Sequence, residues 1–384
     1  MAMRRLMQPM KRSTCIGTIV TIIFFLTGCR LTYILQAAAG QFRLLQGALP
    51  VEEALRNDSL SATQKDRLCL VAKIKDFAEK ELGLKKTSNY ETIYTKSSQP
   101  PVYIVSAAPK DRLSLVTWWF PVVGKMPYLG FFDLDRARAE KKKLVEKDLD
   151  TVIGRAEAYS TLGWFKDPVT LNLIEGSTLD LVETILHEMT HTTLYKKGRG
   201  EFNEGLAVLV GKQGAYLFMQ STYGPSHPLT LEAQKSIRDE ALFSTFLTSL
   251  LAKLEHLYDS SLTYEEKMTE REKVFAEALA QFKVLKGELQ TRRFFRFGDA
   301  TLNNAYLMSI ALYHRHYHLF ESVLRRNGNS IKEMLIFLKV LTKRDGNILK
   351  MMQDWLEGPG EMQSCNRSIL KGQRLSPHAD VQTP

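Results

Sequence analysis

The sequence predicts an α+β protein, in which a small sheet lies beside one amphipathic helix and a mainly helical C-terminal half follows. Three observations support this fold class. Between residues 100 and 174, β-branched and aromatic runs alternate with proline and glycine, as in short strands. Residues 177–194 repeat apolar side chains at helical spacing, and longer runs with the same spacing begin near residue 230.

The same changes of composition divide the 384 residues into five parts. The last part loses periodicity and gains glycine, proline and serine, so we expect a mobile tail there. The parts are a leader over residues 1–28, an N-terminal helical segment over 29–99, a core over 100–229, a helical region over 230–357 and the tail over 358–384.

The leader has the features of a lipoprotein signal peptide. Four basic residues precede an apolar run of eleven residues at 16–26, far fewer than the ~20 that a membrane-spanning helix needs. The run ends in Leu26-Thr27-Gly28-Cys29, the pattern of a bacterial lipobox, so we expect cleavage before Cys29 and lipid on its thiol. A short uncleaved anchor is the alternative. With Arg30 next, the sorting rule of Gram-negative lipoproteins predicts the outer membrane, facing the periplasm.

The N-terminal segment is expected to contain two helices. Apolar residues recur at helical spacing over 33–45, and a second helix is predicted to begin at Ser61, with Gln64 as its capping-box partner, and to stop at Gly83. Cys69 is expected on the apolar side of that helix as a buried free thiol. Pairing of Cys69 with Cys365 in an oxidising compartment is the alternative.

The core is predicted to be a small sheet followed by the amphipathic helix. An edge strand of such a sheet can bind an extended peptide by backbone hydrogen bonds. The strand candidates are residues 102–105, 115–123, 128–132, 152–153 and 169–174, with a helix over residues 133–146 between them.

The amphipathic helix predicts a metal site with its own general base. His187 and His191 are four residues apart, about one helical turn, so both imidazoles point from the same face. Glu188 lies about 100° around the helix, where a carboxylate can take a proton from a water that the metal activates. Ser177 is expected to cap the helix. This HExxH pattern is that of the zincins and predicts Zn²⁺ as cofactor.

A third protein ligand is needed beside the two histidines. In the metzincin motif, glycine and histidine would stand where this chain has Leu194 and Lys197, so that class is excluded. Glu204 is the better candidate, because it would open a second helix after a glycine turn and complete a two-histidine, one-glutamate site. Glu201 is the substitute. The alternative to a metal site is a set of ordinary packed or solvated residues on an amphipathic helix.

The helical region is predicted to start as a long hairpin over residues 230–290, with Thr263 and Glu266 capping its second helix. His227, between two prolines, is expected to be a turn residue. A further helix from residue 302 carries Tyr306 and Tyr313, either of which could donate a hydrogen bond to a substrate oxyanion. We assign Tyr313 to that catalytic role.

Three histidines follow Tyr313 at alternate positions. His314 and His318 could face together and hold a second metal, while His316 points away. We expect all three to be surface residues. The formal net charge of +10 is scattered without a stacking-aromatic motif, which argues against nucleic acid as a partner and favours weak attraction to anionic lipid.

Several blocks of the chain together resemble a family of bacterial lipoproteins that are predicted zinc aminopeptidases, a group of glutamate-zincins. The resemblance implies zinc-dependent hydrolysis of peptide substrates. The most specific block is residues 158–168, where we place the substrate-binding candidates Tyr159, Ser160 and Thr161. The other blocks are residues 33–41, 119–124, 128–133, 187–191, 202–207 and 302–306.

The exopeptidase part of that implication needs a carboxylate to hold the free ammonium of a substrate. The G-x-M-E-N segment that does so in well-known zinc aminopeptidases is missing from the sequence. Glu157 and Asp167 are the candidates for this anchor, and either could instead be a structural carboxylate. An endopeptidase with the same site, or a non-catalytic envelope lipoprotein on a zincin scaffold, are therefore the alternative functions.

Overall fold

The computed structural model describes residues 46–58, 60–95, 102–120, 124–156 and 167–358. The described residues from Ala48 onward belong to one compact unit, and Gln46 and Gly47 belong to another. The signal peptide, the helix over residues 33–45 and the tail beyond Gly358 lie outside the described residues. None of the helices within the described ranges is long and apolar enough to cross a membrane.

The strands in the described part of the chain are short and form three small sheets. The largest has the order β6-β3-β7 and is antiparallel throughout, with Tyr103 opposite both Phe131 and Arg155. In the second, β2 pairs antiparallel with β1 and parallel with β8, and the third is the β4–β5 pair. The strands are β1 (Ala48–Pro50), β2 (Thr92–Tyr94), β3 (Val102–Pro109), β4 (Trp118–Phe120), β5 (Gly124–Met126), β6 (Leu129–Phe131), β7 (Leu149–Ala156) and β8 (Val169–Thr170).

Helices make up most of the rest and fill the C-terminal half, which confirms the predicted α+β class. They are α1 (Val51–Arg56), α2 (Ala62–Lys80), α3 (Leu134–Val145), α4 (Leu171–Glu175), α5 (Thr178–Thr193), α6 (Gly200–Tyr223), α7 (Pro228–Tyr258), α8 (Tyr264–Glu288), α9 (Asn304–His314), α10 (Tyr317–Arg326), α11 (Ile331–Leu341) and α12 (Ile348–Glu357).

The predicted helix caps are confirmed at α2 and α8. Ser61 with Gln64, and Thr263 with Glu266, form reciprocal capping boxes. These pairs satisfy backbone N–H groups that the first helical turn leaves without intrahelical partners. Their side chains and spacing are local, which is why the sequence alone could place both helix starts.

Two predictions about the N-terminal half are wrong. The strand expected over residues 169–174 ends at Thr170, and the following residues form helix α4, because a short apolar run does not distinguish a strand from a buried helical turn. Cys69 is exposed, since the buried stripe of α2 runs through Leu68, Val71, Ile74 and Ala78 and leaves Cys69 on the other side. Cys365 lies outside the described residues.

Two large hydrophobic clusters organise most of the described helices, and a third, smaller one packs α3 on β3. The larger one surrounds α5 and α6, whose Leu186, Met189 and Leu209 are fully buried, with side chains of α2, α10 and α11 packed around them. The second cluster joins α7, α8 and α9 and is rich in phenylalanine. Helix α5 therefore lies inside the protein, with its position fixed on several sides.

An asparagine pair joins the β6-β3-β7 sheet to helix α9. Asn303 caps α9 by accepting a hydrogen bond from the N–H of Tyr306, and its own Nδ2 donates to the carbonyl of Thr151 on β7. The buried Asn304 donates to the carbonyls of Pro109 and Lys110 at the end of β3. The sheet is thereby held against the helix that carries Tyr313.

Candidate metal centre and active site

Three side chains converge between α5 and α6. Nε2 of His187 lies 3.2 Å from Oε2 of Glu204, and Nε2 of His191 lies 3.5 Å from the same oxygen. The two imidazole Nε2 atoms are 3.2 Å apart. Within the described residues, His187, His191 and Glu204 are the one group of at least three possible ligands whose atoms lie close enough to hold a metal ion, all within 4.8 Å of one another.

The two histidines converge because α5 is a regular, firmly held helix. The Ser177 side chain accepts a hydrogen bond from the Asp180 N–H at its start, as the sequence predicts. At its end, the Thr193 hydroxyl accepts from the N–H of Lys85, which ties the last turn to the chain after α2. His191 is buried, and its Nδ1 makes no hydrogen bond within the described residues.

Glu204 reaches the histidines because a short loop is closed by the preceding residue. The buried Asn203 side chain accepts a hydrogen bond from the N–H of Lys196 at 2.8 Å and donates one to the carbonyl of Lys196 at 2.9 Å. This pair of bonds closes the turn between α5 and α6. The closeness of Glu204 to His191 in sequence is therefore compatible with a third ligand on α6.

Glu201, the alternative third ligand, points to a different partner. Its carboxylate lies 3.7 Å from Nε2 of His316, and the interaction with that imidazole lowers the pKa of Glu201. It does not join the two histidines of α5. The structure thus brings together the preferred ligand set and leaves the substitute outside it.

Two glycines of α6 allow the close approach that the site needs. A methyl group at Gly211 would lie 3.0 Å from the Glu183 carbonyl oxygen and 3.6 Å from Cβ of His187. At Gly205, next to Glu204, a methyl group would lie 2.6 Å from Cε2 of Phe320. Helix α6 can therefore lie directly against α5 and α10 only with glycine at these positions.

The proposed base, Glu188, lies beside the ligands but separate from them. Its side chain is nearly buried, and its Oε2 has no hydrogen-bond partner within the described residues. The charge of Glu188 adds to burial in raising the pKa of the neighbouring Tyr90. Tyr90 has a φ of 66°, a left-handed conformation that costs free energy for a residue with a side chain. No motif in the sequence pointed to this tyrosine.

Tyr313 lies at the site, whereas Tyr306 does not. The Tyr313 ring stacks on His187 with centroids 6.4 Å apart and an interplanar angle of 28°. The charge of Glu204 and burial raise the pKa of Tyr313, so the phenol keeps its proton at neutral pH. Tyr306 instead packs on Phe297 in the second hydrophobic cluster.

A second tyrosine that the sequence analysis missed also borders the ligands. The Tyr195 ring meets the edge of His191 at a centroid distance of 6.2 Å. Burial and the charge of Glu204 raise the pKa of Tyr195. Tyr195 lies beyond the end of α5 at Thr193, so helical spacing could not indicate its position, and no motif in the sequence did.

The pKa values of Glu204 and His191 are shifted in opposite directions by their closeness. Burial alone would raise the pKa of Glu204, but His191 and His187 outweigh it and hold the pKa well below its usual range. Burial would lower the pKa of His191, but the charge of Glu204 raises it overall. Without a metal ion, the carboxylate of Glu204 is paired with the imidazoles, and a bound metal ion would take the place of the imidazole proton, because histidine ligates in its neutral form.

The three histidines after Tyr313 do not form a second metal site. The predicted continuous helix is wrong, because α9 ends at His314 and α10 begins at Tyr317. The Thr248 hydroxyl donates to the Arg315 carbonyl at this break and replaces a lost helical bond. His314 contacts Glu240 and His318 contacts Thr245.

The surface position expected for the histidines holds for one of them. His318 is exposed, whereas His314 and His316 are partly buried, since each has a carboxylate partner from another helix. His227 is a turn residue as predicted. Its Nδ1 accepts a hydrogen bond from the N–H of Leu229 and caps α7.

A buried network of charges joins helix α5 to its neighbouring helices. Lys212 Nζ lies 3.6 Å from Glu183 and 3.4 Å from Glu240, and donates a hydrogen bond to Ser236 at 2.8 Å. Arg293 approaches Glu183 at 2.5 Å. The network joins α5, α6 and α7. Its members are far apart in sequence, so no local sequence pattern predicts it. We call it the Lys212 network.

The network predicts a defined response to acid. Burial would raise the pKa of Glu240, but His314 and Lys212 outweigh it and lower the pKa to about 2, against an ordinary value of 4.5. Ionised Glu240 therefore stabilises the fold above the ordinary pKa, and that contribution is lost as the pH falls towards the folded-state value. We expect the Tm difference between wild type and Glu240→Gln to be constant near neutrality and to shrink in acid. Thermal unfolding across the acidic range measures it, and a difference that widens in acid contradicts it.

The structure does not describe several of the predicted site residues. Cys29, Glu157 and the substrate-binding candidates Tyr159, Ser160 and Thr161 lie outside the described residues. Asp167 is buried, and its carbonyl accepts a hydrogen bond from the N–H of Tyr90. Its charge contributes to the raised pKa of Tyr90, after burial and Glu188, so Asp167 lies near the proposed base.

The chain was also compared with known proteins. A family model described as putative aminopeptidase matches residues 32–347, most of the chain. No curated protein and no solved structure matches the chain.

Proposed function

The chain belongs to the family described as putative aminopeptidase, and from that premise we propose that it is a zinc-dependent aminopeptidase. The family supports a peptidase function. The observation that carries the zinc dependence is the convergence of His187, His191 and Glu204 on one point. Two imidazoles and one carboxylate are the donor set of catalytic zinc in several hydrolases, which leaves a fourth position for water or substrate.

The three ligands would hold Zn²⁺ between α5 and α6, in a zincin-like core. When bound there, zinc lowers the pKa of water and polarises a carbonyl group. The residues fit the ion because three ligand atoms of suitable chemistry converge, and because the negative charge of Glu204 lies between the two histidines. Glycine at position 211 lets the helices approach closely enough for this arrangement.

Glu188 is proposed as the general base. It is adjacent to His187 in sequence but outside the ligand group, and one of its oxygens has no hydrogen-bond partner in the described chain. That oxygen can accept a proton from the attacking water and then deliver it to the leaving amine. Burial keeps competing solvent away from the carboxylate.

Tyr313 is proposed as the hydrogen-bond donor to the oxyanion. Its ring stacks on His187, and its raised pKa keeps the phenol protonated, so that it can donate to the developing negative charge on the substrate carbonyl oxygen. Tyr195 lies against His191, the other histidine of the proposed ligand set. We place the substrate beside these two aromatic rings.

The exopeptidase assignment is tested with two matched peptides. An aminopeptidase holds the free ammonium of its substrate, so N-acetylation of the same peptide should abolish cleavage of the first bond. Free amino acids released from each peptide by the soluble mature protein measure it. Equal cleavage of both peptides rejects the aminopeptidase assignment. It leaves an endopeptidase that uses the same three proposed ligands and the same base, Glu188.

We also propose that the protein is a lipoprotein anchored to the outer membrane through Cys29. The support is the lipobox at residues 26–29 and the short apolar run before it. Replacing Cys29 by serine should release the protein from membranes or leave it unprocessed, because two or three acyl chains provide most of the anchoring. Fractionation after metabolic palmitate labelling measures this, and unchanged labelling of the variant rejects the proposal.

A further inference from the structure

Helix α9 ends on a histidine that is held on three sides. Nδ1 of His314 lies 2.5 Å from Oε1 of Glu240 on α7. The edges of its ring meet Phe243 and Phe294 at centroid distances of 5.5 and 5.3 Å, both nearly perpendicular. Because Glu240 is fully buried, separating the pair would remove one of the few cationic partners of its charge and leave Lys212, at 3.4 Å, as the other close one, which is unfavourable.

The residue before this histidine is the one that faces the metal ligands. Consecutive residues of an α-helix point about 100° apart, so fixing His314 also fixes the direction of Tyr313. Helix α9 ends at His314, and the chain turns over the next two residues before α10 begins at Tyr317. The contacts of His314 therefore hold the last turn of α9, which carries Tyr313, and act together with the stacking of Tyr313 on His187.

The same contacts also connect His314 to helix α5, which carries the two proposed histidine ligands. Lys212 lies between Glu240, at 3.4 Å, and Glu183, at 3.6 Å, and Glu183 is one helical turn before His187 on α5. The side chains of all three ion partners are at most 7% exposed, so water competes little with these pairs. Tyr313 and His187 thus meet at the site and are also joined behind it by the Lys212 network.

We propose that Glu240 and His314 are positioning residues, which aim the Tyr313 phenol at the substrate oxyanion. The inference rests on the function proposed above, since it assigns a purpose to the orientation of Tyr313. Neither residue belongs to the ligand group, and both act through Tyr313.

The first test observes Tyr313 directly. Fluorotyrosine placed at position 313 of the zinc-loaded mature protein reports its surroundings by fluorine NMR. His314→Asn and Glu240→Gln should each shift or broaden this resonance, because both remove the contact that fixes the helix end. His318→Asn is the matched control, since His318 contacts α7 at the Ala241 carbonyl and Thr245 but has no contact with Glu240 among the described interactions. An unchanged resonance in His314→Asn overturns the proposal.

The second test asks whether the effect passes through the phenol. His314→Asn should lower kcat by roughly 10- to 100-fold, as small misplacements of a catalytic group do, with zinc content and KM little changed. In a Tyr313→Phe background, the same substitution should change kcat by less than about twofold, because the phenol that it would misplace is gone. If the effects of His314→Asn and Tyr313→Phe on kcat multiply in the double variant, the proposal is overturned. His314 is then a general packing residue.

The two tests separate this inference from the proposed function. Absence of peptide cleavage by the wild-type protein would reject the peptidase, while the fluorine resonance would still decide whether Glu240 and His314 orient Tyr313. If Glu240→Gln does not fold, His314→Asn alone carries both measurements, since it leaves the Lys212–Glu240 pair in place.

Discussion

Glu204→Ala is expected to lose its zinc and all measurable peptide cleavage. Glu204 supplies the one carboxylate of the ligand group, 3.2 and 3.5 Å from the two imidazoles. Two histidines alone are too few protein ligands to retain a catalytic zinc, which uses three. Metal analysis of the purified mature protein should show about one zinc per wild-type chain and far less in the variant.

Glu201→Ala is the matched control for this experiment. Glu201 is on the first turn of the same helix and is replaced in the same way, but its carboxylate pairs with His316. It should keep wild-type zinc content, with at most a small loss of stability, because a partly exposed pair whose atoms lie 3.7 Å apart contributes little. Retention of zinc by Glu204→Ala, or its loss from Glu201→Ala, would reject the ligand assignment.

Glu188→Gln is expected to retain zinc and lose catalysis. Glutamine has nearly the same shape as glutamate but accepts no proton, and Glu188 is not one of the converging ligands. General acid–base catalysis contributes roughly 10²–10⁴-fold, so kcat should fall by at least about two orders of magnitude with unchanged zinc content and Tm. Parallel loss of zinc would show instead that Glu188 coordinates the metal.

This variant also separates an enzyme from a non-catalytic scaffold. A scaffold lipoprotein would keep its cellular role after the Glu188→Gln change, because its fold and metal remain. A peptidase would lose that role in step with hydrolysis. Complementation of a deletion strain by the variant, compared with wild type, measures the difference.

The convergence of the two histidines proposed as ligands could be predicted because their geometry is local. A four-residue spacing on a capped helix determines that His187 and His191 point the same way, and the buried stripe of α5 keeps that helix intact. Glu204 was harder, because its position depends on the Asn203 hydrogen bonds that close the preceding loop. Those bonds join residues only seven apart, which kept the assignment within reach of sequence reasoning.

The remaining parts of the site depend on contacts between distant residues. Lys212 interrupts an apolar helix, and nothing in its neighbourhood indicates that Glu183 and Glu240 from two other helices surround it. The break after His314 likewise depends on Thr248, which lies far away in sequence. Cys69 was misplaced for a simpler reason: a one-residue error in the phase of a helical stripe moves a side chain about 100° around the helix.

The proposed ligands lie close together in sequence, and this spacing affects the order in which the parts of the site form during folding. His187 and Glu204 are 17 positions apart, so closing the loop between them costs little chain entropy. Tyr313 and Asn304, which bring the phenol and the sheet to the site, are synthesised about a hundred residues later, and long-range contacts of that kind form slowly. We therefore expect a growing or refolding chain to capture its metal before it can cleave a peptide. Such a delay would protect the unfinished chain from its own activity.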